Sequence, residues 1–363
     1  MSIIIFLIIL SILVFVHEFG HYITAKKNGI RVDEFAIGFP PRIFSWMRGE
    51  TRWSINLIPI GGYVKIFGEN PDEESLAGPD STRSFVNKPK RIQALVLSAG
   101  IIFNILFAWL LITLGFVFGF PVPAGDYPEE YVHDRSLVVI ATVADSPAAL
   151  AGVESGDTIA SVTSGAHSLT ILEPEAFSEF ISEHGDKKVV LELKRGETLR
   201  SVEVIPLEGV VSGKPAIGVS IDTVGTLKLP FFKAIAQGVT TTGNIILETI
   251  VGLSMFFFDA FRGQGDFSQV SGPVGIAGLV GGVAELGFMY LISLTALISI
   301  NLAVINLIPF PALDGGRLLF VAIEAVTRKP ISPKVANTLN GIGFLLLLLL
   351  MVVVTYNDIA KLF

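Results

Sequence analysis

The chain has no cysteine, which removes disulfide bonds and thiolate metal sites from consideration and leaves the redox compartment unread. Charge is scarce as well: Asp, Glu, Lys and Arg make up 16% of the 363 residues, 51% are hydrophobic, and mean hydropathy is +0.65. An ordinary soluble enzyme is therefore excluded, and an integral membrane protein in contact with a lipid bilayer is indicated. No basic run is dense enough to hold nucleic acid, and the net charge of -7 points away from it too. The N-terminus has neither a basic leader nor an A-x-A-like cleavage site, so its apolar run reads as a retained span and not as a cleaved signal peptide.

Histidine is also sparse, with five in the chain, yet two of them stand in Val16-His17-Glu18-Phe19-Gly20-His21. Imidazoles four residues apart fall on one face of a helix and can share one Zn²⁺, and the glutamate between them lies where a general base must be. No charge precedes this motif from Ser2 to Val16. Three ionisable groups at the end of a lipid-facing helix each cost about 2.5–3.5 kcal/mol unless they find partners or a ligand, which favours the metal reading over two idle histidines.

Ser2 to Ala25 is long enough to cross a hydrocarbon core of roughly 30 Å. Eleven Lys and Arg follow between Lys26 and Arg91, so the positive-inside rule makes this side cytoplasmic and the N-terminus external. Residues 32–69 are punctuated by Gly38-Phe39-Pro40-Pro41, Pro59 and Gly61-Gly62, with β-favouring runs at 53–58 and 63–67. They read either as a hairpin that dips into the bilayer, its edge open to an extended substrate, or as a small cytoplasmic sheet. Asn70 to Arg83 reads as a mobile acidic loop, and a second span, from about Ile92 to Phe120, carries Gly100 and Asn104. For Asn104 a plain hydrogen bond between helices is the simplest role.

Residues 124–228 change character, with seventeen Asp and Glu against eight Lys and Arg and alternating strand-like runs. A folded domain of this length is ordinary. Within it, Ser146-Pro147-Ala148-Ala149-Leu150-Ala151-Gly152-Val153-Glu154-Ser155-Gly156-Asp157-Thr158-Ile159 resembles the signature of bacterial PDZ domains, which implies strand-addition binding of an extended segment. Residues 230–262 read as an amphipathic helix lying in the membrane interface, being interrupted by Lys233, Gln237, Asn244, Glu248 and Asp259. Further spans run from about Phe288 to Leu307 and from about Ile342 past Val354. The expected organisation is 1–123, a membrane domain with two spans and the β segment; 124–228, an extracytoplasmic PDZ domain; and 229–363, the interfacial helix and the last two spans. The fold class is a polytopic α-helical membrane protein of about four spans with a re-entrant β element and one PDZ domain.

Catalytic zinc takes three protein ligands and keeps one position open. His133, His167 and His184 all fall in the outer domain, so the third ligand should be a carboxylate. Asp314, after the third span in Asn306-Leu307-Ile308-Pro309-Phe310-Pro311-Ala312-Leu313-Asp314-Gly315-Gly316, lies at the depth of His17 and His21. Glu248, Asp259 and Asp358 belong to the outer side, and Glu324 to the cytoplasmic return.

Taken in order, H-E-F-G-H, G-G-Y-V-K, the PDZ signature, S-G-P-V-G-I and N-x-x-P-x-P-x-L-D-G-G resemble the site-2 protease family, and specifically its bacterial regulator-of-sigma-E branch. The resemblance implies intramembrane zinc proteolysis in a bacterial cytoplasmic membrane, with His17, His21 and Asp314 as Zn²⁺ ligands and Glu18 as general base. It further implies that Gly61, Gly62 and Tyr63 belong to a re-entrant β element, and that Asn306, Pro309 and Pro311 hold substrate. The implied substrates are single-span membrane proteins already trimmed outside, such as an anti-sigma factor or a remnant signal peptide. One PDZ signature occurs where the enterobacterial form has two. The competing class is a metal-ion transporter, since intramembrane His and carboxylate groups also line ion pathways.

Overall fold

The uncharged N-terminal run forms α1 (Ser2–Lys27), which closes on Lys26 and Lys27 where cations complement the helix dipole. Ile3, Ile4, Ile8 and Ile12 point outward, and Ile9 and Leu13 are buried. The structure is a computed structural model and describes residues 2–70, 72–170, 173–196, 198–211, 214–263 and 271–361.

After α1 come β1 (Val32–Arg48) and β2 (Thr51–Ile66), paired antiparallel. Gly38 and Gly61 take φ of +83° and +117°, and both strands bend there, so that Ala36 pairs with Tyr63 on one side and Ser54 on the other. The two strands thus make four passes in the order 62–66, 32–37, 51–56, 42–48, with 62–66 at one edge. Phe39, Ile43, Phe44, Met47, Leu57 and Ile58, around the bends and outer passes, are exposed. Where the sequence suggests a mobile loop, α2 (Glu73–Ala77) forms, because Asp72 and Ser75 make a reciprocal capping box.

The second apolar run is α3 (Lys90–Phe118). It touches α1 closely at Gly20, where a Cβ would fall 2.5 Å from the carbonyl oxygen of Ala99. Small residues at such a contact let two backbones approach.

The acidic stretch builds β3 (Phe120–Pro123), β4 (Val132–Thr142), α4 (Pro147–Leu150), β5 (Thr158–Ser164), β6 (His167–Ser168) and α5 (Pro174–Glu183). It continues with β7 (Val189–Arg195), β8 (Thr198–Val204), β9 (Leu207–Val211), β10 (Lys214–Ala216) and β11 (Val219–Leu227). One sheet runs β3-β11-β4-β5-β7-β8 with β6 on β5, and β9 pairs with β10 apart from it. Leu137, Ile159, Leu191, Leu193, Phe177 and Ile181 form its core. Asp157 of the turn motif is buried, pairs with Arg195 at 2.6 and 2.8 Å and accepts from the Glu154 amide. That partnership holds the Arg195 guanidinium well above its ordinary pKa.

The remainder is helical: α6 (Phe231–Phe261), α7 (Pro273–Leu286), α8 (Phe288–Leu307), α9 (Asp314–Thr327) and α10 (Pro333–Ala360). Among the described residues, α1, α3, α6, α8 and α10 are long and apolar enough to cross a membrane. The S-G-P-V-G-I motif opens α7, and the amides of Gly272 and Gly275 donate to buried Asp358 of α10 at 3.1 and 2.8 Å. The described residues fall into two compact units, Met1–Leu111 with Gly238–Gly281 and Thr295–Phe363, and Ile112–Gln237 with Gly282–Leu294.

Candidate metal centre

Helical periodicity stacks His17 and His21 on the buried face of α1, toward its C-terminal end. Asp314 reaches them from the first turn of α9. What brings it there is the pair of glycines that follows. A Cβ on Gly315 would lie 2.3 Å from the Leu307 carbonyl oxygen, and one on Gly316 would lie 2.2 Å from that of Phe310, so α9 folds back against the end of α8 only with glycine at both places. Ala312 turns the loop with φ of +77°, and its amide donates to Asn340 of α10 at 3.3 Å. Gly343, one turn on, lets Pro311 pack directly against α10.

The His17 and His21 Nε2 atoms lie 3.1 and 3.3 Å from Asp314 Oδ2, and 3.2 Å from each other. His21 Nδ1 faces the Val96 carbonyl at 2.8 Å. A carbonyl only accepts, so Nδ1 carries the hydrogen and Nε2 presents its lone pair. Asp314 Oδ2 is buried and receives no hydrogen bond. His21 Nε2 and Asp314 Oδ2 are thus both acceptors, and with His17 they offer ligand atoms mutually within 4.8 Å, a grouping that a bound cation resolves. Two imidazoles and one carboxylate are a catalytic zinc donor set with room for a further ligand. Among the described residues no other three His, Cys, Asp or Glu are grouped in this way.

Glu18 sits beside the pair at the edge of the β1–β2 sheet. A Cβ on Gly62 would meet Val14 at 3.0 Å and the Glu18 Cγ at 3.6 Å, so the backbone of β2 passes directly over the base. Gly61 packs on the Phe39 ring, and Tyr63 pairs with Ala36. Asn306 stands in the last turn of α8, and Pro309 and Pro311 lie in the loop that leads to Asp314. Of the carboxylates weighed against Asp314, Glu324 pairs with Lys90 and accepts from the Ile331 amide, and Asp358 caps α7.

Residues whose place at the site sequence reasoning missed surround the triad. Gly100 faces both imidazoles, and a Cβ there would fall 2.4 Å from His21 Nε2 and 2.8 Å from His17 Nε2. Asn104, one turn on, is buried with its side-chain amide 3.2 Å from His17 Nδ1. Their spacing of four residues on one helix face was the available signal. Arg317, a turn beyond Asp314, pairs with Glu69. Both line a cavity of about 460 Å³ together with Lys90, Gln93, Glu324 and Asn340.

The profile of Peptidase family M50 matches residues 5–350. The Zinc metalloprotease RasP of Geobacillus kaustophilus is 31% identical, covering 100% of this chain and 98% of the relative. Those of Oceanobacillus iheyensis and Shouchella clausii are 30% and 33% identical, covering 100% and 99% of this chain and 99% and 98% of the relatives. Zn²⁺ is the cofactor those relatives imply, and the transporter reading falls with them. The chain belongs to peptidase family M50, the site-2 protease family, in its regulator-of-sigma-E branch, and is a zinc metalloprotease.

Proposed function

We propose that this protease cuts a peptide bond inside the transmembrane segment of a single-span membrane protein whose ectodomain has already been trimmed. The observation that carries the reading is the location of His17, His21 and the base Glu18 on α1, a helix with no other charge from Ser2 to Ala25 and with isoleucines exposed along its outer face. Anti-sigma factors and remnant signal peptides are substrates of the right chemistry.

A substrate helix has its carbonyls already hydrogen-bonded and must be unwound before it is cut. The pass 62–66 is the sheet edge beside Glu18, and among the described residues no strand pairs with its outer side. Strand addition there replaces the hydrogen bonds lost on unwinding and presents an extended segment to the base. The exposed apolar side chains of the other passes favour a sheet immersed in lipid. Asn306, Pro309 and Pro311 would line the other side of the bound segment.

His17, His21 and Asp314 would hold the zinc, which when bound supplies Lewis acidity toward the scissile carbonyl. Glu18 takes a proton from the attacking water as its oxygen bonds to the carbonyl carbon, then delivers that proton to the departing nitrogen as the C–N bond breaks. The cavity beside Arg317 and Asn340, whose lining includes Glu69, Lys90 and Glu324, favours entry of water from the Lys- and Arg-rich side.

Helix direction supports four crossings. Asp314, just past the end of α8, meets His21 near the end of α1, so these two helices finish at the same depth and α8 runs in the sense of α1. A four-span organisation then leaves α6 in the interface, a reading supported by its interruption with Lys233, Gln237, Asn244, Glu248 and Asp259. The Lys and Arg between 26 and 91 make the triad's end cytoplasmic and put 124–228 outside, in a bacterial cytoplasmic membrane. For that domain a PDZ fold is favoured by its signature and by the half of β11 before Val224, which among the described residues has β4 on one side and no strand on the other. The test is cleavage of a reconstituted single-span peptide with the cut located by fragment mass; cuts outside the membrane segment refute the proposal.

A further inference from the structure

Every part of the triad has a partner that dictates its orientation except, at first sight, His17. His21 is aligned by the Val96 carbonyl, and Asp314 by the folded-back turn of α9. For His17 to offer Nε2 to a metal, its Nδ1 must carry the hydrogen, and a buried N–H needs an acceptor. The atom placed 3.2 Å from it is Nδ2 of Asn104, a donor, while Asn104 Oδ1 is buried without any partner. The two ends of a carboxamide have the same shape, and a half-turn about Cβ–Cγ exchanges them. That half-turn puts Oδ1 against His17 Nδ1 and supplies the acceptor.

We propose that Asn104 is a positioning residue of the metal centre, its side-chain carbonyl accepting the Nδ1 hydrogen of His17 and thereby fixing the tautomer and tilt that present Nε2. The role is more than a contact between helices. Asn104 is fully buried, and the helix contact has its own hydrogen bond, from Ser299 Oγ to the Asn104 backbone carbonyl at 2.9 Å. Gly100, one turn earlier, keeps the adjoining space clear, so α3 contributes both an opening and an acceptor to a site whose ligands come from α1 and α9. An outer hydrogen-bond partner of this kind changes metal affinity by about 10–100-fold.

The proposal rests on the zinc reading, and the experiment separates the two. Zinc affinity is measured on the purified full chain in detergent, by competition with a chromophoric chelator, for the wild type and for His17→Ala, Asn104→Leu, Asn104→Asp and Ser299→Ala. The expected result is loss of binding in His17→Ala, about 10–100-fold weaker binding in Asn104→Leu, and recovery to within about threefold in Asn104→Asp, which keeps an acceptor. Ser299→Ala, which loosens the same helix contact without touching the amide, should bind as the wild type does. If Asn104→Leu does not fold, Asn104→Ala carries the same comparison. Wild-type affinity in the Leu or Ala variant overturns the proposal, as does equal weakening in Asn104→Asp. Retained zinc in His17→Ala overturns the site itself and the proposal with it.

Discussion

A methyl group on Gly100 would lie 2.4 Å from Nε2 of His21, the atom that faces Asp314. In an ordinary helix interior, exchanging glycine for alanine stabilises by roughly 0.5–1 kcal/mol. Here the added carbon displaces both imidazoles, so Gly100→Ala should keep its helix content and lose at least tenfold in zinc affinity. Circular dichroism and bound zinc, measured on one preparation, check this; wild-type zinc content would mean that α3 does not border the metal.

The loop before Asp314 is held by α10. Asn340→Leu removes the acceptor for the Ala312 amide, which should cost about 1 kcal/mol and lower zinc retention with no direct contact to the metal. Ala312→Gly should be tolerated or stabilise by about 1 kcal/mol, since a left-handed φ strains a residue with a Cβ. Melting temperatures with and without a chelator check both, and unchanged zinc retention in Asn340→Leu would free Asp314 from α10.

Within the acidic domain, Arg195→Met leaves Asp157 as a buried carboxylate without its cation. Breaking such a pair from one side costs about 3–5 kcal/mol. The domain should therefore become sensitive to protease while zinc stays bound, and limited proteolysis followed by metal analysis reads both.

Much of this architecture was legible beforehand because it depends on local chemistry. The H-E-x-x-H pattern needs only helical periodicity to bring His17 and His21 together, and uninterrupted apolar runs announced α1, α3, α8 and α10. Asp314 was reachable by excluding the outer histidines. What could not be read depends on contacts distant in the chain. Gly315 and Gly316 look like turn residues until the Leu307 and Phe310 carbonyls are seen against them, and the S-G-P-V-G glycines had no visible role before Asp358 was found capping α7. The passes of the β1–β2 sheet were hidden for the same reason, since Ala36 has partners on both sides only because both strands bend. Asn104 looked like an interhelical hydrogen bond, and its second partner, His17, became visible only in three dimensions.

The ends of the acidic domain are adjacent, because Pro123 of β3 pairs with Val224 of β11. Residues 124–223 can therefore be replaced by a short turn that leaves this pairing intact. If the domain acts as a steric gate, the shortened enzyme should cut an untrimmed substrate as well as a trimmed one. If it recruits substrate by strand addition, KM for the trimmed substrate should rise instead. Parallel cleavage rates for the two substrates decide between these roles.

Topology is open to reporter fusions. Fusions near residues 75 and 331 should report cytoplasm and one near residue 165 the outside, following the Lys and Arg distribution. A cytoplasmic signal at 165 would invert the assigned sides.

The most direct test of intramembrane zinc hydrolysis compares wild type with Glu18→Gln in liposomes holding a single-span peptide, with zinc counted per chain and fragments identified by mass. One zinc in each protein, cleavage within the membrane segment by the wild type, and loss of at least about 100-fold in rate for Glu18→Gln is the predicted result. Near-normal cleavage by Glu18→Gln, or cleavage confined to residues outside the bilayer, would contradict it.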